Sequence, residues 1–457
     1  MKNQTLESIA RFAHAKLSHE DQANLPVRSI SIDTRTISKG DIYLPIIGEK
    51  WDGHNFIEEA FEKGAIASFI AKDHEIKTEG IYLVVDDTLE TLQTCAHNYR
   101  MSLDIKVIAI TGSNGKTTTK DVIYSLLKEK YKTKKTIGNL NNHIGVPRTL
   151  LDLDEDTEIA LVEMGMDDFN YISKLVEIAV PDISIITNIG DVHLEKLKTK
   201  ENIAKAKLEI LQGMDEEGIF IYNYDDFVLR KEVKAMEIVP KVVNLGMDEE
   251  ADHRLKLIKS NQEGTTFILD QEEYKTNLLG SYQMYNASIA ILLAKYFGLT
   301  KEQIEKGLEV TDLTSMRAQL LNFNGFDLLV DCYKSNPQSL IEAFATANLL
   351  SGYRRKIAIL GDMLELGKDE VKFHYDAGYS LDPNQFDYVL FYGPLSKHMM
   401  AGALNHYPSD RLFHFHDKAD LVDKAKYLIV KNTLVLLKAS RALRLEEVVE
   451  NLMTITL

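Results

Sequence analysis

Short apolar runs separated by turn residues dominate the first hundred positions of the chain. Candidate strands lie at 29–32, 42–46, 67–70 and 81–85. Each run is shorter than a typical helix and is bounded by residues that favour turns. This pattern predicts a small mixed α/β domain that ends near residue 103.

Longer buried-strand runs alternate with helical patterns in the middle of the chain. Strand-like runs occupy 106–111, 159–163, 183–188 and 218–222, and helical patterns occupy 117–130 and about 199–213. Alternation of this kind is typical of a parallel sheet whose strands are joined by crossover helices. We therefore expect a central α/β domain over residues 104–316.

The alternation becomes regular in the last third of the chain. Strands are predicted near 327–331, 356–361, 388–392, 411–415 and 433–438, with helix-length segments between them. A second doubly wound, Rossmann-like sheet over residues 317–457 is the simplest account. The length of 457 residues also favours about three domains, at roughly 150 residues each. The predicted fold class is α/β in three domains.

Composition and charge narrow the class of protein. Hydrophobic residues make up 45% and charged residues 27%, which is typical of a globular chain. The formal charge of −16 repels a phosphate backbone, so general nucleic-acid binding is not expected. The apolar runs are strand-sized, the opening segment has no apolar signal core, and two cysteines cannot build a disulfide framework. We expect a cytoplasmic protein without membrane insertion.

The clearest chemical motif lies between the first central strand and the helix that follows it. Residues 111–120 read TGSNGKTTTK. Glycines at such a turn let backbone N–H groups surround a phosphate, and the helix N-terminus adds a positive dipole. Lys116 can then reach the β- and γ-phosphates, while the Thr117 hydroxyl can bind Mg²⁺. The general P-loop places its first glycine where this chain has Ile110, and Gly112 follows instead. An ordinary strand-to-helix turn is the alternative interpretation.

This shortened loop resembles that of the ATP-dependent Mur ligases, the amide-bond-forming enzymes of peptidoglycan synthesis. Further segments occur in the order and spacing of that family, namely NLNNHIGVP at 139–147, EMG at 163–165, TNIGDVH at 187–193, AKLE at 206–209 and GDMLELG at 361–367. The N-terminal segments DTR at 33–35, GD at 40–41, Gly48 and DGH at 52–54 are similar to the family's UDP-binding domain. The resemblance covers essentially the whole chain.

The resemblance implies a reaction and its substrates. The motifs are most similar to those of the ligases that add D-alanyl-D-alanine to UDP-MurNAc-tripeptide, which consume ATP and form an acyl phosphate. Their products are UDP-MurNAc-pentapeptide, ADP and phosphate. A monomer that uses small-molecule substrates, ATP and Mg²⁺ is expected. The alternatives are a sister ligase that adds another amino acid or glutamate, and a nucleotide-switched binding protein.

The family motifs also imply a catalytic and metal-binding set. Two Mg²⁺ ions are expected to offset the repulsion between the anions that the site must hold. The resemblance assigns the catalytic residues as Lys116, Glu163, His193, Lys207 and Arg317, and the metal ligands as Thr117, Glu163, His193 and carbamylated Lys207 (N6-carboxylysine). Judged alone, Glu163 could be a carboxylate at an exposed strand end, His193 a loop histidine and Arg317 a surface charge.

The helix with Lys205 and Lys207 allows a sharper test. Side chains two residues apart on a helix differ by about 200° in direction, so both lysines cannot face one site. The family pattern selects Lys207. Two solvated lysines on an amphipathic helix are the alternative.

The remaining candidates hold substrates. The nucleotide-binding set implied by the family comprises Gly112, Ser113, Asn114, Gly115, Lys116, Thr117, Thr118, Asn286, Asp331 and Asn336, and the UDP-substrate set comprises Asp33, Thr34, Arg35, Gly48, Asn141 and Asn142. The chain departs from the family pattern at Tyr282 and Gln283, where His and Asn are usual, and at Lys334. Lys334 is either an added phosphate contact or a surface charge.

Overall fold

The structure is a computed structural model that describes residues 3–311, 313–314, 316–323 and 325–455. Within these residues the strands form a two-stranded ribbon and sheets of five, nine and six strands. Each of the three larger sheets is drawn from one of the three predicted segments. The α/β fold class is therefore confirmed, while the exact boundaries at 103 and 316 stay predictions.

The N-terminal sheet is mixed. Strands β4 to β7 run parallel in the order β7-β6-β5-β4, and β2 pairs antiparallel with β7. The segment contains β1 (Gln4–Thr5), α1 (Leu6–Phe12), β2 (Lys16–Leu17), β3 (Pro26–Val27), β4 (Ser29–Ser31), β5 (Asp41–Tyr43), α2 (Ile57–Glu62), β6 (Ala67–Ala71), β7 (Tyr82–Val85) and α3 (Thr88–Met101). Helix α3 starts where the Asp87 side chain accepts the Glu90 N–H at 2.7 Å, a typical N-cap.

The central segment supplies the nine-stranded sheet. Its elements are β8 (Lys106–Thr111), α4 (Lys116–Leu127), β9 (Thr133–Lys135), α5 (Gly145–Leu151), β10 (Ile159–Glu163), α6 (Tyr171–Ala179), β11 (Ile183–Ile186), α7 (Leu194–Leu197), α8 (Lys200–Leu208), β12 (Ile219–Asn223), α9 (Phe227–Lys234), β13 (Lys241–Gly246), β14 (His253–Asn261), β15 (Gly264–Leu269), β16 (Glu272–Thr276), α10 (Gln283–Tyr296) and α11 (Lys301–Glu309). The order is β16-β15-β14-β13-β12-β11-β8-β10-β9, parallel from β9 to β14 and antiparallel beyond.

The register of this sheet determines where the chemistry lies. Glu163 at the end of β10 pairs with Ile110 of β8, and Ile186 at the end of β11 pairs with Thr111. The carboxyl ends of β8, β10 and β11 therefore meet at one edge. In open α/β sheets this edge is where ligands usually bind.

The C-terminal segment forms the predicted doubly wound sheet. Its elements are β17 (Gln319–Asn322), β18 (Phe326–Asp331), α12 (Pro337–Leu349), β19 (Arg355–Gly361), α13 (Glu370–Tyr379), β20 (Tyr388–Tyr392), α14 (Ser396–Ala403), β21 (Leu412–Phe415), α15 (Lys418–Leu428), β22 (Thr433–Lys438) and α16 (Glu446–Leu452). The order is β17-β18-β22-β19-β20-β21, and only β17 runs antiparallel among the described strands. Separate apolar clusters cover its two faces.

The N-terminal and central segments share a hydrophobic core. Leu92, Cys95 and Tyr99 of α3 are fully buried in the same cluster as Val146 of α5 and Leu175 of α6. Burial of such side chains contributes roughly 1.5–3 kcal/mol each, so α3 is firmly attached to the central sheet. Among the described helices, none is both long enough and apolar enough to cross a membrane.

Candidate active site

A cleft of about 480 Å³ lies between the carboxyl edge of the central sheet and the C-terminal segment. Most of the predicted nucleotide, catalytic and metal residues line it, together with Asn141 and Asn142 of the predicted UDP-substrate set. They are Ser113, Asn114, Gly115, Lys116, Thr117, Thr118, Asn141, Asn142, Glu163, His193, Lys207, Asn286, Arg317 and Asp331.

The P-loop has the tight turn that its sequence predicts. Gly112 has φ +150° and Gly115 has φ +81°. A Cβ atom on Gly112 would lie 1.8 Å from Thr187 Oγ1, and one on Gly115 would lie 2.8 Å from Asn286 Oδ1. Both glycines are therefore needed for close packing as well as for backbone conformation. Helix α4 begins at Lys116, so its positive N-terminal end lies at the cleft.

Lys116 folds back over this loop. Its ammonium donates to the carbonyl oxygens of Gly112 and, at 3.4 Å, Ser113. Burial lowers the pKa of Lys116 to about 7, and the positive charge of Lys334 adds to that effect. An anion bound beside Lys116 would restore its full charge, because an opposite charge favours the ionised form.

Glu163 is a buried carboxylate whose two oxygens are both engaged. Oε2 accepts from the Thr117 hydroxyl at 2.8 Å and from Lys120 at 3.4 Å, and Oε1 accepts from Asn141 at 2.9 Å. Burial raises the pKa of Glu163, but the charges of Lys120, Lys116 and nearby Arg317 outweigh it and lower the pKa below its usual value. The residue is therefore an anion at neutral pH.

Lys120 was not among the predicted site residues. Its side chain is fully buried beside Glu163. The spacing contained a signal, because Lys120 lies four residues after Lys116 and hence on nearly the same face of α4.

His193 is a neutral imidazole at the edge of the cleft. It has a left-handed backbone at φ +55°, and its side chain is 13% exposed. Its Nδ1 lies 3.6 Å from Asp167 Oδ1 and 3.5 Å from Glu365 Oε2. Burial, helped by the charges of Lys334 and Lys207, lowers the pKa of His193 to about 2. The unprotonated ring has a nitrogen lone pair available for a metal ion.

Lys207 and Lys205 have opposite environments, as the helical geometry requires. Lys207 is 2% exposed and lines the cleft, whereas the Lys205 side chain is 55% exposed and lies 3.9 Å from Glu232. Burial lowers the pKa of Lys207 well below its usual value, and the charges of Lys116 and Lys334 lower it further. No described carboxylate offsets that effect.

The C-terminal segment contributes the opposite wall. The Arg317 guanidinium lies 4.2 Å from the centre of the Tyr333 ring, which holds it at the junction between the central and C-terminal sheets. Asp331 accepts from the buried Lys438 ammonium at 2.7 Å. Asn336 is fully buried, caps helix α12, and donates from Nδ2 to Asn114 Oδ1 of the P-loop at 2.7 Å.

Asn286 lies behind the P-loop. Its carbonyl oxygen accepts from the Thr119 hydroxyl at 3.0 Å, and its NH₂ group donates to Gln283 at 2.9 Å. One amide hydrogen remains for a ligand. Gln283, which departs from the family pattern, thus positions Asn286.

The predicted UDP residues form a second group. Asn141 and Asn142 line the cleft, but Asp33, Thr34, Arg35 and Gly48 are not among the residues that line it. Asp33 caps the turn that follows β4 and accepts from the Arg35 side chain at 2.7 Å. The Arg35 hydrogen bond lowers the pKa of Asp33 to about 2, and the charge of Arg148 on α5 contributes.

Asp52, His54 and His74 also lie close together in the N-terminal domain. His54 Nε2 accepts the Ala71 N–H at 3.2 Å, so Nδ1 holds the proton and donates to Asp52 Oδ1 at 2.7 Å. His74 Nε2 contacts Asp52 Oδ2 at 2.9 Å, and the imidazole rings stack at 3.7 Å. Because His54 has no free lone pair in this arrangement, the cluster is a hydrogen-bonded clasp between two loops and not a metal site.

The donors in the cleft fit divalent metal ions. The Thr117 hydroxyl and the Glu163 carboxylate, 2.8 Å apart, are the oxygen ligands that Mg²⁺ prefers. Neutral His193 and buried Lys207 form a second pair of donors. A carbamate on Lys207 would be stabilised by the cations that oppose its ammonium form, Lys116 and Lys334.

Comparison with known proteins identifies relatives along the whole chain. Family models match at residues 26–100 (Mur ligase family, catalytic domain), 110–294 (Mur ligase middle domain) and 316–441 (Mur ligase, glutamate ligase domain). The UDP-N-acetylmuramoyl-tripeptide--D-alanyl-D-alanine ligase of Bacillus subtilis is 37% identical over 456 residues, which cover 99% of each chain. The Escherichia coli protein of the same name is 31% identical and covers 94% of each chain.

Solved structures agree with the sequence relatives. A crystal structure of MurF from Acinetobacter baumannii has a TM-score of 0.88 and 27% identity, covering 99% of both chains. MurF from Thermotoga maritima, in complex with ADP, has a TM-score of 0.81 and 27% identity, covering 93% of this chain and 97% of that one.

Proposed function

The chain belongs to the Mur ligase family, and we propose that it joins D-alanyl-D-alanine to UDP-N-acetylmuramoyl-tripeptide at the expense of ATP. The family resemblance of the sequence is thereby confirmed. One observation of the structure carries the proposal: the P-loop, buried Glu163 and cations of both the central and the C-terminal segments converge on one cleft. We propose that the protein works in the cytoplasm as a monomer.

The arrangement suits activation of a carboxylate by phosphoryl transfer. The carboxylate of the tripeptide attacks the γ-phosphorus of ATP, and ADP leaves, which gives an acyl phosphate. The amine of D-alanyl-D-alanine then attacks the acyl carbon, and phosphate leaves from the tetrahedral adduct. No protein nucleophile is needed, so positioning and charge stabilisation account for the catalysis.

The residues of the cleft have distinct roles in this scheme. Lys116 and the N-terminus of α4 bind the β- and γ-phosphates, and Arg317 brings a further positive charge from the C-terminal side. Asn286 and Asp331 hold the nucleoside, and Asn336 fixes the P-loop through Asn114. Release of Lys116 from the loop carbonyls is the change that nucleotide binding requires.

Thr117 and Glu163 would hold one Mg²⁺, and His193 with carbamylated Lys207 would hold a second. Bound metal ions would neutralise the triphosphate and stabilise charge on the transferring phosphoryl group. Glu163 is already ionised and His193 is already neutral, and burial lowers the pKa of Lys207, which favours the neutral amine that reacts with CO₂. Each pKa shift therefore favours the protonation state that the proposed role needs.

The UDP substrate is proposed to extend from the N-terminal domain to the cleft. Asp33, Thr34, Arg35 and Gly48 would hold the uridine diphosphate end, since they belong to the N-terminal segment and do not line the cleft. Asn141 and Asn142, which line the cleft, would then contact the end that reacts.

The experiment that tests this function is phosphate release by the purified chain. UDP-MurNAc-tripeptide, with lysine or diaminopimelate in third position, is combined with D-alanyl-D-alanine, D-glutamate or single amino acids. Release should require both the tripeptide and D-alanyl-D-alanine, and should yield the pentapeptide. Equal rates with another amine would identify a sister ligase. Nucleotide hydrolysis independent of both substrates would contradict ligation and favour a nucleotide switch.

A further inference from the structure

Lys334 lies in the cleft and is not a surface charge of the C-terminal domain. It lines the cavity, and its side chain is 39% exposed. It is close enough to Lys116, His193 and Lys207 for its charge to lower the pKa of all three. The sequence alone left this residue between two interpretations, and the structure favours the one that places it among the phosphate-binding groups.

The backbone around Lys334 is held firmly. The buried Lys438 ammonium donates to the Lys334 carbonyl oxygen at 2.7 Å. Tyr333 lies against the Arg317 guanidinium, and Asn336 bonds to the P-loop. Because the loop is fixed on both sides, the Lys334 side chain is directed into the cleft by the fold.

The charge of Lys334 has only a weak partner among the described residues. Its ammonium lies 3.9 Å from Glu365 Oε2, beyond hydrogen-bond distance, and that carboxylate is also 3.5 Å from His193. Burial lowers the pKa of Lys334 despite the opposing charge of Glu365. A second anion beside Lys334 would favour its charged form.

We propose that Lys334 is an additional catalytic residue that binds an oxygen of the terminal phosphoryl group of ATP. This inference rests on the proposed function, because it assumes that ATP occupies the cleft. Lys116 approaches the phosphates from the P-loop, whereas Lys334 approaches from the C-terminal domain, so the γ-phosphate would be held from both sides. Glu365 would then lose its contact with Lys334 and keep only His193.

A competing possibility is that Lys334 binds the carboxylate of the tripeptide, which is also an anion in this cleft. Its nearness to the P-loop lysine favours the phosphate. The two sources differ in one measurable property: a γ-phosphate contact is present in ATP and absent in ADP, whereas a contact with the tripeptide affects neither nucleotide.

The test compares the affinities of ADP and a non-hydrolysable ATP analogue, both with Mg²⁺, by titration calorimetry of the full-length chain. Lys334→Met keeps the length of the side chain and removes its charge. We expect the analogue to bind about tenfold or more weakly and ADP to change by less than about twofold, in line with loss of one charge-assisted hydrogen bond. Lys334→Arg should retain most of the preference for the ATP analogue over ADP. Lys205→Met, which replaces an exposed lysine of the central domain, should match the wild type.

Several outcomes would overturn the assignment. Equal weakening of both nucleotides would mean that Lys334 only supports the fold, and unchanged affinities would mean that it does not touch the phosphate. A rise confined to KM for UDP-MurNAc-tripeptide would mean that Lys334 binds the carboxylate of the tripeptide and not the phosphate. If Lys334→Met proves unstable, Lys334→Asn gives the same comparison. The ratio of the affinities for the ATP analogue and for ADP is measured without the amine substrate. A wild-type chain that fails to ligate would therefore contradict the proposed function, while this ratio would still test the role of Lys334.

Discussion

Replacing Lys207 by methionine should stabilise the protein and abolish its ligase activity. Lys207 is 2% exposed, no described carboxylate pairs with it, and burial keeps its pKa well below the usual value. In the unfolded chain the same amine is free to bind a proton. The folded chain therefore binds this proton less tightly than the unfolded chain does, which costs stability near neutral pH, and methionine removes this cost.

The size of the effect follows from proton linkage. An unfolded lysine has a pKa of about 10.4, and each pH unit below it costs about 1.4 kcal/mol if the folded amine is neutral. At pH 7 the upper limit of this cost is thus about 5 kcal/mol. Imperfect packing of methionine offsets part of this, so we expect a gain of about 1–3 kcal/mol. At roughly 2–4 °C per kcal/mol for a domain of about 150–250 residues, Tm should rise by about 2–12 °C.

The pH dependence gives the sign of the effect. The folded pKa of Lys207 is lowered, so the unfolded state binds more protons and wild-type stability rises with pH. The stability advantage of Lys207→Met should therefore be largest near neutral pH. It should disappear as the pH approaches the pKa of lysine in the unfolded chain. Thermal unfolding of the nucleotide-free protein between pH 7 and about pH 10 measures this.

Bicarbonate provides an independent measurement. A carbamate on Lys207 would stabilise the wild type among the cations that surround it, so added bicarbonate should raise the wild-type Tm and leave Lys207→Met unchanged. Lys207→Ala should regain part of its ligase activity when a short carboxylic acid is supplied. Lys205→Met is the matched control, and its stability should stay within about 0.5 kcal/mol of the wild type.

Three results would refute the reasoning about Lys207. A lower Tm for Lys207→Met would show that the amine makes stabilising contacts. A similar rise in Tm for Lys205→Met would show that burial of the amine is not the cause of the stabilisation. Near-normal ligation by Lys207→Met would exclude a catalytic function of Lys207.

Three further predictions concern the nucleotide and metal groups. Lys116→Ala should reduce turnover to near background with largely unchanged affinity for the UDP substrate by calorimetry, since the uridine diphosphate end is proposed to bind the N-terminal segment; near-normal ligation would contradict the assignment of the P-loop. Asn286→Ala and Asp331→Asn should raise KM for ATP and leave KM for D-alanyl-D-alanine unchanged; a shift of only the dipeptide constant would mean that these residues do not bind the nucleoside. Glu163→Gln should cost about 3–5 kcal/mol in a urea unfolding experiment, because Lys120 remains buried without its partner; a loss below about 1 kcal/mol would contradict that pairing.

The sequence predicted the parallel strands well because strands that are buried on both faces appear as continuous apolar runs. The run at 106–111 is apolar, bounded by turn residues and covered on both faces, so its observed bounds are Lys106–Thr111. Strand β14 was not predicted, since most of its residues are exposed and its lysines interrupt any apolar run. Such a strand is recognised only through its antiparallel partner β15.

Contacts between distant segments could not be predicted from the residues alone. Lys334 and Glu365 are 31 positions apart and meet 3.9 Å from one another only because their loops share the edge of one sheet. Lys438 reaches Asp331 because β18 and β22 are neighbours, although more than 100 positions separate the two residues. Local patterns predict elements, whereas the charge balance of the cleft depends on how those elements assemble.

The hydrogen bond between Asn114 and Asn336 links nucleotide affinity to domain attachment. Asn114 belongs to the phosphate-binding loop, and Asn336 caps the first helix of the C-terminal domain. If a nucleotide reorders the loop and weakens this bond, a second ligand that binds only when the bond is broken gains affinity from the nucleotide, and by thermodynamic reciprocity it raises nucleotide affinity by the same factor. A small molecule that binds beside Asn336 and breaks the bond would conversely oppose ATP without contacting it if the loop binds ATP only with the bond intact.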